Sequence, residues 1–280
     1  MTLPRLSPAQ AEAVRSWLPD AELVADMSWP GIDTTVLHVR TPAGEVVVKA
    51  GGQGNHHIRR ELTAHESATG PLLARDAAAR LRHADRDANV LVFDFQPGVL
   101  VEGTEAELSP EVHRQAGALL HALHDQPERV DAEYDRAADA KALAWLAGEH
   151  RVPSADAARV RRLLTNRRAE PATLVPTHGD WQPRNWLIDG DRVRVIDFGR
   201  FAFRPAATDF VRLAAQQWRE RPDLEAAFLA GYGSDPREGE MWRYAQLHEA
   251  VGTAVWAHQV GDEPFEAQGL RMLTEALARF

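Results

Sequence analysis

The sequence predicts an α+β chain, with a small β-rich N-terminal lobe and a larger helical C-terminal lobe. Three observations carry this expectation. Runs rich in Val and Thr crowd the first hundred residues, a Pro97-Gly98 break closes them, and helical periodicity dominates the remainder of the chain. The division falls at residues 1–96 and 97–280, with the join near Gln96 to Gly98.

Three strand-like runs come first, Glu22 to Met27, Thr35 to Arg40 and Glu45 to Lys49. They are broken by Trp29-Pro30-Gly31 and by Thr41-Pro42-Ala43-Gly44, the latter reading as a hairpin turn. Arg59 to Thr69 switches to helical spacing, and Asn89 to Phe95 returns to strand. After the Pro-Gly break, Ser109-Pro110-Glu111 opens a helix running to about His124, with the proline and acid expected of a first turn. Ala137 to Glu149 and Ala155 to Arg168 read as two more helices. The stretch Leu174 to Gly199 is irregular, with strand pieces at Asn185 to Ile188 and Arg192 to Ile196 around an Asp-Gly-Asp turn. Helices resume from Thr208, broken near Gly231 to Asp235 and Gly261 to Pro264.

Composition narrows the function. The 280 residues are 44% hydrophobic and 26% charged, an ordinary globular balance. Thirty-two basic residues against 41 acidic ones leave a net charge of -9, which argues against a nucleic-acid groove. The absence of cysteine excludes disulfides, thiolate zinc sites and a cysteine nucleophile. No signal peptide or membrane-length apolar run is visible, so the reading is a soluble, cytoplasmic protein without a membrane partner, monomeric by default.

The chemistry concentrates in His178-Gly179-Asp180-Trp181-Gln182-Pro183-Arg184-Asn185 and in Val195-Ile196-Asp197-Phe198-Gly199. Three oxygen-bearing side chains, Asp180, Asn185 and Asp197, surround one hairpin. Such a set suits a magnesium–phosphate site, because Mg2+ takes hard oxygen ligands and shares its shell with substrate phosphate. A carboxylate not needed for metal is free to orient or deprotonate an attacking hydroxyl. Lys49 is one of only two lysines in the chain and ends the apolar run Glu45 to Lys49.

These motifs resemble the aminoglycoside phosphotransferase family, relatives of choline kinases and distant relatives of protein kinases. The resemblance implies a bilobal protein-kinase-like fold and an ATP-dependent phosphotransferase using Mg2+. It makes Asp180 the catalytic, base-like residue and Asn185 and Asp197 the magnesium ligands, with His178 bracing the loop and Asp209 structural. Lys49 is then the phosphate-binding lysine, with Glu61 its acidic partner and Glu66 the fallback. Ser28 to Asp33 stands where a phosphate-covering loop belongs, so Ser28 joins the nucleotide-binding candidates. Asp94, Phe95 and Gln96 stand where main-chain groups pair with adenine. Two other histidine groups are read without chemistry: His113, His121 and His124 as part of a packed helix, and His56-His57 as solvent-exposed.

Between Glu220 and Glu266 stand ten acids against three arginines, a balance of −7. A cleft lined by such charge attracts a polycation. In the family resembled this C-terminal region walls the acceptor cleft, so the resemblance implies a small cationic acceptor bearing a hydroxyl, an aminoglycoside first by family, or a basic cyclic peptide antibiotic of the tuberactinomycin type. Glu249, Asp262, Glu263, Glu266 and Trp256 are its candidate contacts. The alternatives are a metabolite kinase acting on choline, an amino sugar or a homoserine-like acceptor, and a non-catalytic nucleotide-binding module. A protein kinase is disfavoured, since only twelve residues separate Asp197 from Asp209 and leave no room for a peptide-docking segment.

Overall fold

The computed structural model describes residues 3–29 and 31–280; Pro30, in the middle of the Trp29 to Gly31 break, and Met1 and Thr2 lie outside the described residues. The N-terminal region contains a helix where mostly strand was expected, α1 (Pro8–Trp17). Its cause is local. Ser7 Oγ accepts the Gln10 N–H and Gln10 Oε1 accepts the Ser7 N–H, a reciprocal cap that satisfies two amides the helix leaves unpaired.

Next come β1 (Glu22–Asp26), β2 (Thr34–Thr41), β3 (Gly44–Gly51), α2 (His56–Ser67), a short α3 (Gly70–Leu73), β4 (Leu81–Asp85) and β5 (Val90–Asp94). The strands form one antiparallel sheet in the order β1-β2-β3-β5-β4. Side-chain alternation along β3 decides what each face does. Val46, Val48 and Ala50 pack with Val14 and Leu18 from α1 and its end, as well as with Leu37 and Val39 of β2. Lys49 points to the opposite face, where Ile58 and Leu62 of α2 pack on Leu91 and Phe93 of β5.

The rest of the chain runs β6 (Val99–Leu100), α4 (Pro110–His124), β7 (Arg129–Asp131), α5 (Tyr134–Ala147), α6 (Ser154–Asn166), β8 (Ala172–Thr177), β9 (Trp186–Asp189), β10 (Arg192–Val195), β11 (Ala202–Arg204), α7 (Val211–Ala215), α8 (Pro222–Tyr232), α9 (Gly239–Val260) and α10 (Glu263–Leu277). The architecture is a β-rich N-terminal region and a helical C-terminal part, as the sequence predicts. Gly190, at φ 59°, makes the tight turn that pairs Asp189 with Arg192 in the β9–β10 hairpin. Among the described residues, no helix is long and apolar enough to cross a membrane.

Contacts divide the chain into two compact units. The first holds the chain through Gln126, together with His178–Ala202 and Ala226–Gly233. The second holds Pro127–Thr177, Phe203–Glu225 and Ser234–Phe280. The Gln96 to Gly98 break therefore lies inside the first unit, and so does the His178–Asn185 loop. Within the second unit α5, α6, α9 and α10 share an apolar core that includes Leu146, Val160, Leu247, Val251 and Leu273. The α9–α10 approach is close enough that a Cβ on Gly269 would stand 2.4 Å from the Ala254 nitrogen.

Candidate active site

Strand β3 delivers Lys49 and helix α2 delivers Glu61 to the same side of the sheet. Lys49 Nζ lies 2.7 Å from Glu61 Oε1 and 3.9 Å from Asp197 Oδ1. Burial works against the charge on Lys49, but Glu61 and Asp197 outweigh it and raise its pKa above the usual lysine value. Burial pushes the Glu61 carboxyl up, while Lys49 and the Phe198 amide act in the other direction. Glu66 is not part of this pair; it is bonded to Arg86.

Asp197 follows strand β10 in a left-handed backbone conformation, φ 65°, which an aspartate tolerates better than most residues. Its side chain is 54% exposed, and Oδ1 accepts the Gly199 N–H at 3.2 Å. Burial of the surroundings raises its pKa, Lys49 lowers it more, and the net displacement is downward. The result is a solvent-open, ionised carboxylate beside a buried ammonium.

The loop from His178 to Asn185 is held by its own side chains. His178 is fully buried, and its Nδ1 accepts the Asp180 N–H at 3.2 Å. Nε2 then carries the ring proton and donates to the Ile196 carbonyl at 3.1 Å, one residue before Asp197. The ring also packs on Phe198 and on Trp181, with centroids 4.8 and 5.4 Å away. Asp180 is buried and receives three side-chain donors: Gln182 Nε2 at 2.5 Å, Arg184 Nη2 at 2.6 Å and Asn185 Nδ2 at 3.0 Å. The Asn185 amide also donates to the Asp180 carbonyl at 2.8 Å. With its nitrogen so used, Asn185 offers its amide oxygen to a cation. Asn185 and Asp197 together make a hard-oxygen donor set, which fits Mg2+.

The remaining candidates separate into those near this site and those engaged elsewhere. Ser28 Oγ accepts the Val36 N–H at 2.9 Å, which ties the loop after β1 to the sheet. Asp94 pairs with Arg82 at 2.5 Å, and the Asp94 and Phe95 N–H groups are bonded to the Arg80 and Glu45 carbonyls. The Phe95 ring stacks on His38 at 4.0 Å, and Gln96 Oε1 is buried without a hydrogen-bond partner among the described residues. In the second unit, Glu249 pairs with Arg212 at 2.6 Å. Glu266 is buried against His258 at 3.2 Å and Arg151 at 3.6 Å. Asp262 caps α10 by accepting the Phe265 N–H at 3.0 Å, Glu263 is exposed in the first turn, and Trp256 meets Phe265 edge-on at 6.0 Å.

Four residues with a place in the site were not singled out by sequence: Gln182, Arg184, His57 and His65. The reading of His57 as simply solvent-exposed is corrected, because its Nδ1 lies 2.8 Å from the Gly199 carbonyl oxygen. The only sequence signal was spacing, since His57, Glu61 and His65 lie four residues apart on one helix. His113 and His124 are buried and bonded to the Glu107 carbonyl and the Tyr232 hydroxyl.

The chain belongs to the phosphotransferase enzyme family, whose model matches residues 29–242. Among curated proteins none matches the chain significantly in sequence. Solved structures are similar over nearly their whole length. Choline kinase LicA from Streptococcus pneumoniae has a TM-score of 0.69 at 16% identity, covering 96% of this chain and 97% of that one. A thermostable mutant of aminoglycoside phosphotransferase APH(4)-Ia, in a ternary complex with ADP and hygromycin B, has a TM-score of 0.69 at 14% identity, covering 95% and 97%. Macrolide 2'-phosphotransferase MphH from Brachybacterium faecium has a TM-score of 0.59 at 19% identity, covering 96% and 98%. At these identities the likeness establishes the shared fold.

Proposed function

We propose that the chain transfers the γ-phosphoryl group of ATP to a hydroxyl of a small cationic molecule. The observation that carries this reading is the assembly, within one compact unit, of Lys49 on Glu61, the ionised Asp197, and Asp180 beside Asn185. In this reading residues 1–96 hold the nucleotide, and 97–280 supply the catalytic loop and the acceptor site.

Each residue has a definite task. Glu61 fixes Lys49 so that its ammonium meets the α- and β-phosphates without searching for a rotamer. Asn185 and Asp197 would hold Mg2+, which when bound neutralises charge on the phosphate oxygens. Gln182, Arg184 and Asn185 fix the Asp180 carboxylate, which aligns the acceptor hydroxyl and receives its proton. The hydroxyl oxygen bonds to the γ-phosphorus as the bond to the β-phosphate oxygen breaks, releasing ADP. With the Asp94 and Phe95 N–H groups spent inside the protein, the hinge donor left for a purine is the Gln96 N–H.

The cationic acceptor rests on charge. Most acids between Glu220 and Glu266 have a basic neighbour, such as Arg221 for Asp223, Arg237 for Glu225 and Asp235, and Arg212 for Glu249. Of the candidates Glu249, Asp262, Glu263 and Glu266, only Asp262 and Glu263 have no ion pair among the described residues. Within the first unit Glu102 is a separate candidate: partial burial raises its pKa, Arg184 lowers it, and Glu107 and Asp180 raise it. An ammonium held by Glu102 would lie within electrostatic reach of Asp180. Aminoglycosides and basic cyclic peptides meet that description, and phosphorylation of either would confer resistance.

A coupled ADP-release assay tests this reading, with aminoglycosides, cationic cyclic peptides, macrolides, choline and amino sugars, each with and without magnesium. The expected result is magnesium-dependent ADP release stimulated by a cationic acceptor, with a product heavier by one phosphoryl group. Nucleotide binding with no acceptor-stimulated turnover would indicate the non-catalytic module instead. Efficient turnover of choline or an amino sugar alone would indicate the metabolite kinase.

A further inference from the structure

Helix α2 grips the segment from Asp197 to Gly199 with three side chains, each one helical turn apart. His57 faces the Gly199 carbonyl oxygen at 2.8 Å. A carbonyl only accepts, so His57 donates from Nδ1. Between the two histidines Glu61 is held on Lys49 at 2.7 Å, and the Phe198 amide favours its charged form. The His65 ring meets the Phe198 ring edge-on, with centroids 5.3 Å apart. The start of α2 is itself anchored, because Asn55 Oδ1 accepts the His57 N–H at 2.9 Å and Asn89 Nδ2 donates to the Asn55 carbonyl at 3.1 Å.

Gly199 thus divides its main chain between two partners. Its N–H goes to Asp197 Oδ1 and its carbonyl to His57. A Cβ on Gly199 would stand 3.1 Å from Asp197 Oδ1 and 3.2 Å from the His57 Cβ, so the three groups are pressed together. Asp197 sits at φ 65°, a left-handed state that aspartate reaches at some cost and that fixed neighbours stabilise.

We propose that His57 is a positioning residue for Asp197, acting through the Gly199 peptide; this rests on the reading of Asp197 as a magnesium ligand. With the carbonyl of Gly199 anchored, its N–H stays aimed at the Asp197 carboxylate, and the left-handed turn is held before any cation arrives. Removing the anchor frees the peptide to rotate and costs the carboxylate its partner. Affinity for the cation falls, while the chemistry of the loaded site is left largely alone. The same helix seats Glu61 on Lys49, so α2 ties the phosphate-binding lysine and the metal carboxylate to one rigid element.

The test is Mn2+ binding to the full chain with saturating AMP-PNP, followed by the electron paramagnetic resonance signal of free Mn2+. His57→Ala should weaken Mn2+ binding by about 10-fold, at the lower end of what loss of a partner behind a metal ligand costs. His57→Asn, whose amide nitrogen occupies the place of Nδ1, should restore it to within about twofold. Gly199→Ala, which wedges His57 away from Asp197, should weaken binding as His57→Ala does. Metal-free binding of AMP-PNP should be unchanged throughout. Parental Mn2+ affinity in His57→Ala, beside weakened affinity in Asp197→Ala, overturns the role of His57 and leaves the metal reading intact. Parental affinity in Asp197→Ala removes the metal reading and the proposal with it. Should His57→Ala fail to fold, His57→Phe, which keeps a ring but has no donor, decides: weakened binding supports the proposal and parental binding overturns it.

Discussion

Arg184 Nη2 donates to Asp180 Oδ2 at 2.6 Å, an ion pair made within the loop proposed to carry the reaction. Asp180 is only 6% exposed in its side chain and Arg184 is 35% exposed, so the carboxylate is oriented from one side by a cation that still faces solvent. Charge-assisted bonds of this kind are shorter and stronger than neutral ones. The pair makes Asp180 a rigid group and Arg184 the adjustable one.

Substitution of either partner separates orientation from proton transfer. Asp180→Asn should lower kcat by about 10²- to 10⁴-fold with nucleotide affinity retained. Arg184→Ala leaves Gln182 and Asn185 on the carboxylate, and kcat should fall by about 10-fold, partly restored by Arg184→Lys. Steady-state kinetics with nucleotide binding measured in parallel checks both. Near-parental turnover of Asp180→Asn would remove Asp180 from the reaction.

Breaking the Lys49–Glu61 pair should be costly in stability as well as turnover. Both side chains are largely buried, at 13% and 5% exposure, so Glu61→Ala strands an ammonium without its main counter-ion. Loss of one partner of such a pair costs about 3–5 kcal/mol. Urea unfolding of Glu61→Ala, compared with Glu66→Ala as a control on the same helix, reads the difference. An equal effect of both changes would show that the pairing is not what matters.

His65 makes stability depend on acid. Burial, and then Lys49, push its pKa down from 6.5 to about 3, so the folded protein keeps the ring neutral where the unfolded chain takes up a proton. Stability from this group is present above pH 6.5 and is lost as pH falls toward 3. Between pH 7 and 5 the loss should be about 1–2 kcal/mol. His65→Phe, which keeps an aromatic ring against Phe93 and Phe198, should remove that part of the slope in urea unfolding at the two pH values. A slope identical to the parent's would assign the acid sensitivity to other groups.

The charge reading of the acceptor is tested by variants that keep their local structure. Asp262→Asn still caps α10 through its side-chain oxygen, so it removes charge without removing the cap. Combined with Glu263→Gln, and separately Glu102→Gln, it should raise the acceptor KM by about 10-fold while the ATP KM moves little. The acceptor KM should also climb with added salt, since exposed charges are screened over about 10 Å at 0.1 M. A salt-independent KM, unmoved by these changes, would sink the cationic acceptor and leave the phosphotransferase standing.

What the sequence determined by itself was whatever depends on neighbours a few residues away. The Gly190 turn, the Gly261 break before α10, the apolar alternation of β3 and the His178–Asn185 loop all arise from local backbone preference or short-range spacing. The α1 cap was legible on the same terms, in Ser7 and Gln10, but a single short helix did not stand out in a strand-rich region. Short strands such as β6 and β7 carry too few residues for a period to show. Tertiary structure decided everything that required a partner distant in the chain. It chose Glu61 over Glu66 for Lys49, paired Glu249 with Arg212, buried Glu266 against His258 and Arg151, and brought His57 onto Gly199 from 142 residues away. A carboxylate or an imidazole has the same intrinsic chemistry in any sequence. Burial and the charge placed opposite it set its role, and both come from packing.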